Sequence, residues 1–384
     1  MTGAVRPFRI EVGEEQLVDL RDRLRVTRWP DPETVGDWSQ GIPLDYTQEL
    51  CRYWAEEYDW RRAEALLNST PQILTEIDGL DIHALHARSP EPDALPLVIT
   101  HGWPGSVVEF LKVIGPLCDP VAHGGDASDA FHVVCPSLPG YGFSGKPTTS
   151  GWGVSRIASA WAELMARLGY ARYGAQGGDW GSAVTSALGR QDPDHLAGIH
   201  LNMPTVAFGS VDMTDMTADE QAAMDQLAEF QRRESGYSKE QSTRPQTVGY
   251  GLVDSPAAQC AWIVEKFGAW TDGDGHPETV LTRDELLDNV MLYWLTGSGA
   301  SSARLYWESF GAGPGGGSPP PIAVPAGCSI FPREIVRISR RWAEIGFADL
   351  RYWNELDRGG HFAAFEQPEL FTAELRACFA GMRT

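Results

Sequence analysis

The stretch GAQGGDWGSAV, residues 174–184, surrounds one acid, Asp179, with Gly177, Gly178 and Gly181. Small residues around a single reactive side chain, between an apolar run and a helix-forming run, are the pattern of a nucleophile elbow. There a strand turns sharply into a helix and presents its nucleophile at the corner. The usual residue at that corner is serine, whose hydroxyl needs a base before it attacks; a carboxylate is already ionised at neutral pH. At an ester or amide carbonyl a carboxylate is a poor choice, because it leaves again more easily than an alkoxide or amine. It can, however, displace a leaving group from a saturated carbon and hold the product as an alkyl ester. Asp179 therefore predicts hydrolysis at a tetrahedral carbon.

Such chemistry also needs a base to free the ester, an acid to orient that base, and donors for the oxyanion, in the chain order nucleophile, acid, histidine. His361, in DRGGHFAAFEQPE, has the glycine flanks and the late position required of the base. Upstream of it stand Glu334, Asp349, Glu355 and Asp357. Glu334 follows the penultimate strand on the side of the site, whereas Asp349 precedes the last strand and points away. Spacing alone leaves Glu334 balanced between an orienting acid and a solvated neighbour of Arg333. HGWPG, residues 101–105, takes the place of the loop whose N–H aims at the reacting oxygen, so Trp103 and Trp180 are the candidate oxyanion donors. Two leaving groups fit, a halide or the oxygen of a strained epoxide. The second needs a proton donor opposite Asp179, and a neutral phenol can serve. His83, His86 and His195 read as surface or capping residues.

The elements that must position these residues follow from hydrophobic pattern. LPLVITHGWPGS, FHVVCPSLPGYGFSG and RYGAQGGDWG read as buried strands ending in glycine turns, and SRIASAWAELMARLG reads as a helix between them. That alternation predicts an α/β fold with a mostly parallel central sheet flanked by helices, and ligands bound beyond the carboxyl ends of the strands. After Met203 helices dominate, with capping boxes at Thr217/Glu220 and Thr282/Glu285 and a start at Ser255-Pro256. This block reads as an inserted helical cap closed by the linker GAGPGGGSPPP. Before residue 95 come a helix over EEQLVDLRDRLRV, a second over residues 44–68 with an aromatic stripe read as packing, and a hairpin turning at Asp78-Gly79. The expected units are an amino-terminal region 1–94, a core 95–204, a cap 205–320 and a second part of the core 321–384.

Composition narrows the partners. Of 384 residues 42% are hydrophobic, and the formal charge of −21 speaks against nucleic acid and anionic membrane surfaces. The start shows no signal-peptide pattern, and no stretch reaches about 18 apolar residues, which leads us to expect a cytoplasmic protein. Six scattered cysteines suggest neither disulfides nor a metal site, and no cofactor is implied. A homodimer is plausible on general grounds.

GGDWG, HGWPG, RGGHFAAFEQPE and the amino-terminal RDRLRVTRWPD and YTQELCRYWAEEYDWR together resemble the microsomal and juvenile-hormone type of epoxide hydrolase, members of the α/β-hydrolase superfamily with an amino-terminal extension. The likeness spans essentially the whole chain. It implies conversion of a small-molecule epoxide to a vicinal diol, with Asp179 as nucleophile, His361 as general base and Glu334 as its orienting acid. It further implies that Tyr237, in RESGYSKEQ, and Tyr306, in SSARLYWES, donate a proton to the epoxide oxygen, and that the Trp103–Pro104 bond is cis. Tyr250 and Tyr293 are assigned to packing, as are most of Trp262, Trp270, Trp294 and Trp307. The membrane-bound relatives begin with a hydrophobic anchor that this sequence lacks, so membrane attachment is not carried over. Natural-product biosynthesis is one context that the resemblance allows. Two other readings share the scaffold: a haloalkane or haloacid dehalogenase with the same aspartate, and a binding protein without catalysis.

Overall fold

The computed structural model describes residues 3–206, 211–310 and 319–383. Among the described residues nine strands form one sheet: β1 (Arg6–Phe8), β2 (Gln72–Ile77), β3 (Leu80–Ala87), β4 (Leu95–Thr100), β5 (Phe131–Pro136), β6 (Tyr173–Gly177), β7 (Leu196–Leu201), β8 (Ala326–Ile330) and β9 (Leu350–Glu355). Their order is β1-β2-β3-β5-β4-β6-β7-β8-β9, and every pair from β5 to β9 is parallel. The first three strands add to the β5 edge antiparallel. The β2–β3 hairpin turns through Asp78 and Gly79 at φ of 52° and 77°. Positive φ at both central residues matches the twist of the flanking strands.

The parallel strands are buried on both faces, and β6 shows how. A Cβ built on Gly174 would meet the Phe379 ring of helix Pro368–Ala380, whereas one on Gly177 would meet the backbone of helix Asp179–Gln191. The two positions differ in parity, so the helices lie on opposite faces of the sheet. With both sides covered, the open ends are the strand termini. The loops after β4, β6, β8 and β9 carry Trp103, Asp179, Glu334 and His361 to the carboxyl end.

Between β7 and β8 the longer described elements are helices: Ala218–Glu229, Gly236–Thr243, Pro245–Asp254, Pro256–Trp270, Arg283–Thr296 and Gly299–Phe310. Both capping boxes form, and the Ser255 hydroxyl accepts the Ala258 N–H at the start of its helix. Most of the Gly/Pro linker, residues 311–318, lies outside the described residues.

Three expectations need correction. The helix foreseen over 44–68 is two, Leu44–Glu56 and Trp60–Ser69, because Asp59 leaves the helical region and caps the second by accepting the Arg61 N–H at 2.9 Å. His83 and His86 are core residues: His83 bonds Ser137 and Gln72, His86 bonds Tyr170, and burial pushes both imidazoles down, to about 3 and about 4. Tyr250 does not pack, being 72% exposed.

The aromatic stripe before residue 70 does pack, against helix Arg283–Thr296. The Tyr58 hydroxyl donates to Asp288 at 2.7 Å, Tyr53 to Asp284 at 2.9 Å, and the Trp54 indole N–H to the Met291 sulfur at 3.2 Å. That helix in turn grips the HGWPG loop. The Asn289 amide donates to the Pro104 carbonyl at 2.8 Å, and the Tyr293 hydroxyl donates to the Gly105 carbonyl at 2.7 Å.

Close approach of helix Asp179–Gln191 to β4 depends on Gly181, where a Cβ would fall 1.9 Å from the Thr100 carbonyl oxygen. Backbone cannot swing aside as a side chain can. Gly181→Ala is expected to lose about 1–3 kcal/mol of unfolding free energy, measurable by urea titration, with activity falling alongside.

Candidate active site

Asp179 sits in the left-handed region at φ 48°, strained for a residue with a Cβ. The surrounding glycines make room for the corner: a Cβ on Gly102 would lie 2.1 Å from the Asp179 Oδ1, and one on Gly177 2.0 Å from the Gly181 carbonyl. The carboxylate thus lies at the positive end of helix Asp179–Gln191. The Trp103 N–H donates to Oδ1 at 2.8 Å. The Trp180 N–H belongs to the first helical turn, where no intrahelical acceptor exists. The Trp103–Pro104 bond is cis, as the resemblance implied.

His361 stands between two acids. Its Nε2 lies 3.4 Å from Asp179 Oδ2, and its Nδ1 lies 2.6 Å from Glu334 Oε1. Glu334 is 1% exposed, which removes the reading of it as a solvated surface acid. The other three acids lie elsewhere: Asp349 pairs with Arg351, Glu355 accepts the Trp353 indole N–H, and the Asp357 side chain is 85% exposed. Burial pulls the His361 imidazole down, but Glu334 and Asp179 outweigh it and hold the pKa well above the usual value.

The histidine loop is fastened from the helical block. The His361 N–H donates to the Trp270 carbonyl at 2.9 Å, and the Gly359 N–H donates to the Asp272 carboxylate at 2.8 Å. Glu366 accepts the Asp272 N–H at 2.8 Å, and its carboxyl is pushed up to about 7, chiefly by burial. Sequence reasoning passed over Glu366; the Trp270 side chain is buried, and it is its backbone carbonyl that holds the loop. An acid in the apolar run HFAAFEQ was the available signal.

Tyr237 and Tyr306 are both buried and come together above the elbow. The Trp103 ring stacks on Tyr237 at 4.8 Å and 9°, and Trp180 meets Tyr306 edge-on at 4.7 Å and 90°. Tyr237 follows a π-helical turn at Phe230–Glu234, an irregularity common at functional sites. Burial pushes both phenols well above their usual range, and the negative Asp179 adds to it, so both stay protonated. The Lys266 ammonium lies 5.0 Å from the Tyr237 ring centre.

Residues 5–110 match the family described as "Epoxide hydrolase N terminus", and residues 96–251 match the "alpha/beta hydrolase fold" family. A protein of Stigmatella aurantiaca (strain DW4/3-1) is 58% identical over 379 residues, covering 99% of this chain and 86% of its own. Epoxide hydrolase 1 of Oryctolagus cuniculus is 36% identical over 97% of this chain and 88% of its own. The chain belongs to the epoxide hydrolase family. The crystal structure of juvenile hormone epoxide hydrolase from Bombyx mori superposes with a TM-score of 0.89 at 30% identity, covering 99% of this chain and 95% of that one. The Aspergillus niger epoxide hydrolase gives 0.88 at 33%, covering 99% and 97%. This epoxide hydrolase has the α/β-hydrolase fold and acts on a small-molecule epoxide. Among the described residues no helix is long and apolar enough to cross a membrane.

The raised pKa of His361 has a testable origin. Glu334→Gln removes the larger of the two charges that hold it up, so the imidazole titration should move to lower pH. Histidine-labelled NMR reads this directly, and an unmoved titration would assign the shift to another group.

Proposed function

We propose that this epoxide hydrolase forms a covalent alkyl ester on Asp179 and that His361 directs water to release it. The observation that carries the reading is the buried line Glu334–His361–Asp179 with the Trp103 N–H on the opposite carboxylate oxygen. Oδ1 is engaged by that N–H, which leaves Oδ2 to attack an epoxide carbon. The C–O bond of the ring breaks as the Oδ2–carbon bond forms. Tyr237 and Tyr306 give a proton to the departing oxygen, which stays on the substrate as the first hydroxyl. Being protonated at working pH is what lets a phenol do this.

Alkylation changes the histidine. In the resting enzyme the Asp179 charge helps to keep His361 protonated. Once Asp179 is an ester that charge is gone, and the imidazole gives up its proton, which replaces by way of solvent the one the phenol lost, and can act as base. A water then attacks Cγ, passing a proton to Nε2, while negative charge gathers on Oδ1 against the Trp103 and Trp180 N–H groups. Collapse breaks the Cγ–Oδ2 bond, and Oδ2 departs with the alkyl group, taking the proton from Nε2 as the second hydroxyl of the diol; the hydrogen left on the new Asp179 carboxyl then passes to Nε2 and restores the resting charges. Glu334 accepts the Nδ1–H throughout, holding the ring in orientation.

His361→Gln separates the two halves. With an aryl epoxide it should add the substrate's mass to the protein at Asp179 and slow turnover by roughly 100-fold or more. Unchanged turnover, or a mass adduct elsewhere, would overturn the mechanism. Tyr237→Phe should act on the other half, slowing ester formation about tenfold or more while Tyr306 still donates. If that variant instead leaves formation intact and slows breakdown, the phenol is not the ring-opening acid.

A further inference from the structure

Glu109 interrupts the apolar run SVVEFLKVI directly after HGWPG, and neither half of the reaction above uses it. It lies in the short 3-10 turn Val107–Phe110 and is 8% exposed. Gly105 makes way for it, since a Cβ there would fall 1.6 Å from the Glu109 Oε1. A glycine that yields its space to a buried acid points to something that acid does.

Glu109, Asp179 and His361 line the same small cavity, with about 20 Å³ open to a water's centre. That is the room one water needs, and a buried water also needs two to four polar partners. Gln176 lines the cavity as well. Its amide nitrogen donates to Asn202 at 2.9 Å, while its buried Oε1 has no hydrogen-bond partner among the described residues. The cavity is thus polar-walled, of water size, and beside the nucleophile and the base.

We propose that this cavity seats the water that hydrolyses the Asp179 ester and that Glu109 is its positioning residue. The inference rests on the ester reading given above. The Glu109 carboxyl accepts one hydrogen of the water while the His361 Nε2 takes the other, which turns an oxygen lone pair toward the Asp179 Cγ. As the new O–C bond forms, the first hydrogen stays on the attacking oxygen and the second passes to Nε2. The Cγ–Oδ2 bond then breaks, and Oδ2 receives that proton. Glu109 gains and loses nothing.

The electrostatics fit an acceptor that is uncharged at rest. Burial pushes the Glu109 carboxyl up to about 8, with His361 pulling it down and Asp179 adding to the rise. The Tyr293 phenol also faces it. A second carboxylate beside Asp179 is thereby avoided at neutral pH.

The test uses the full chain, styrene oxide and acid-quenched intact-protein mass, following ester formation and then its decay. Glu109→Leu should form ester within about threefold of the unchanged protein and lose it about tenfold or more slowly, because the water is no longer aimed. Glu109→Gln keeps a carbonyl acceptor, so its decay should stay within about threefold, with a pH profile lacking the inflection that ionisation of Glu109 contributes. If Glu109→Leu does not fold, the Glu109→Gln pH profile decides. Equal slowing of both phases in both variants would make Glu109 merely structural, and unchanged decay and profile would overturn the proposal outright. Failure of the underlying reading looks different: no ester would form in the unchanged protein or in His361→Gln, and the proposal would fall with it.

Discussion

Two carboxylates and one imidazole share a buried line, and none is tolerable there alone. The side chains of Glu334, His361 and Asp179 are 1%, 2% and 12% exposed. Removing an ion from water costs several kcal/mol, recovered only by close partners in good geometry. The three loops that carry these groups, after β8, β9 and β6, must therefore meet within hydrogen-bonding distance or the charges cannot be buried at all. The backbone reinforces the meeting, since the Arg333 N–H donates to the Gly359 carbonyl at 3.1 Å and ties the Glu334 loop to the His361 loop. Burial also strengthens each pair, because less water is present to screen it.

Helices outside the sheet hold the other side of this line. The amino-terminal helices bind helix Arg283–Thr296 through Tyr53, Trp54 and Tyr58, and that helix binds the HGWPG loop through Asn289 and Tyr293. The Ser106 hydroxyl also donates to the Asn289 side chain at 2.7 Å. An unbroken chain of contacts thus runs from residue 53 to the loop that carries the Trp103 N–H, fifty positions later in sequence. The amino-terminal region supports a donor aimed at Asp179, and its aromatic load follows from that. Large rigid side chains with one polar tip fill the interface, the two tyrosines ending on acids and Trp54 on the Met291 sulfur.

How much of this was legible depended on whether the signal was local. The elbow announced itself because Gly177, Gly178 and Gly181 must crowd one corner, and the hairpin because Asp78-Gly79 supplies two positive φ values in succession. The parallel sheet followed from strands that had to be apolar on both faces. Glu334 was different. Spacing left it balanced against solvation; the resemblance pointed to the orienting acid, and the fold, which buries it on Nδ1 of His361, removes the second reading. His83 misled because a histidine beside a turn resembles a surface residue, while its partners Gln72 and Ser137 arrive from other strands and loops. Glu109 and Glu366 were overlooked for the same reason: each looks like a single polar break in an apolar run until distant segments close around it.

The choice of aspartate has a consequence beyond the nature of the bond it forms. A serine nucleophile is neutral before attack and neutral as its acyl ester, so its neighbours experience the same charge at both stages. In the proposed reaction Asp179 is negative before attack and neutral as its ester. Every titratable group that feels its charge is retuned by the first step itself. His361 loses a partner that kept it protonated, while Glu109 loses both the Asp179 charge that opposed its ionisation and, as the imidazole is neutralised, the larger His361 charge that favoured it. The ester thus favours a neutral imidazole beside a neutral Glu109 where water must be activated, and both changes are reversed when the ester is cleaved. In the proposed reaction no moving part is required to convert a site that stabilises an attacking carboxylate into one that hydrolyses its ester. The substrate makes the conversion by taking the charge away.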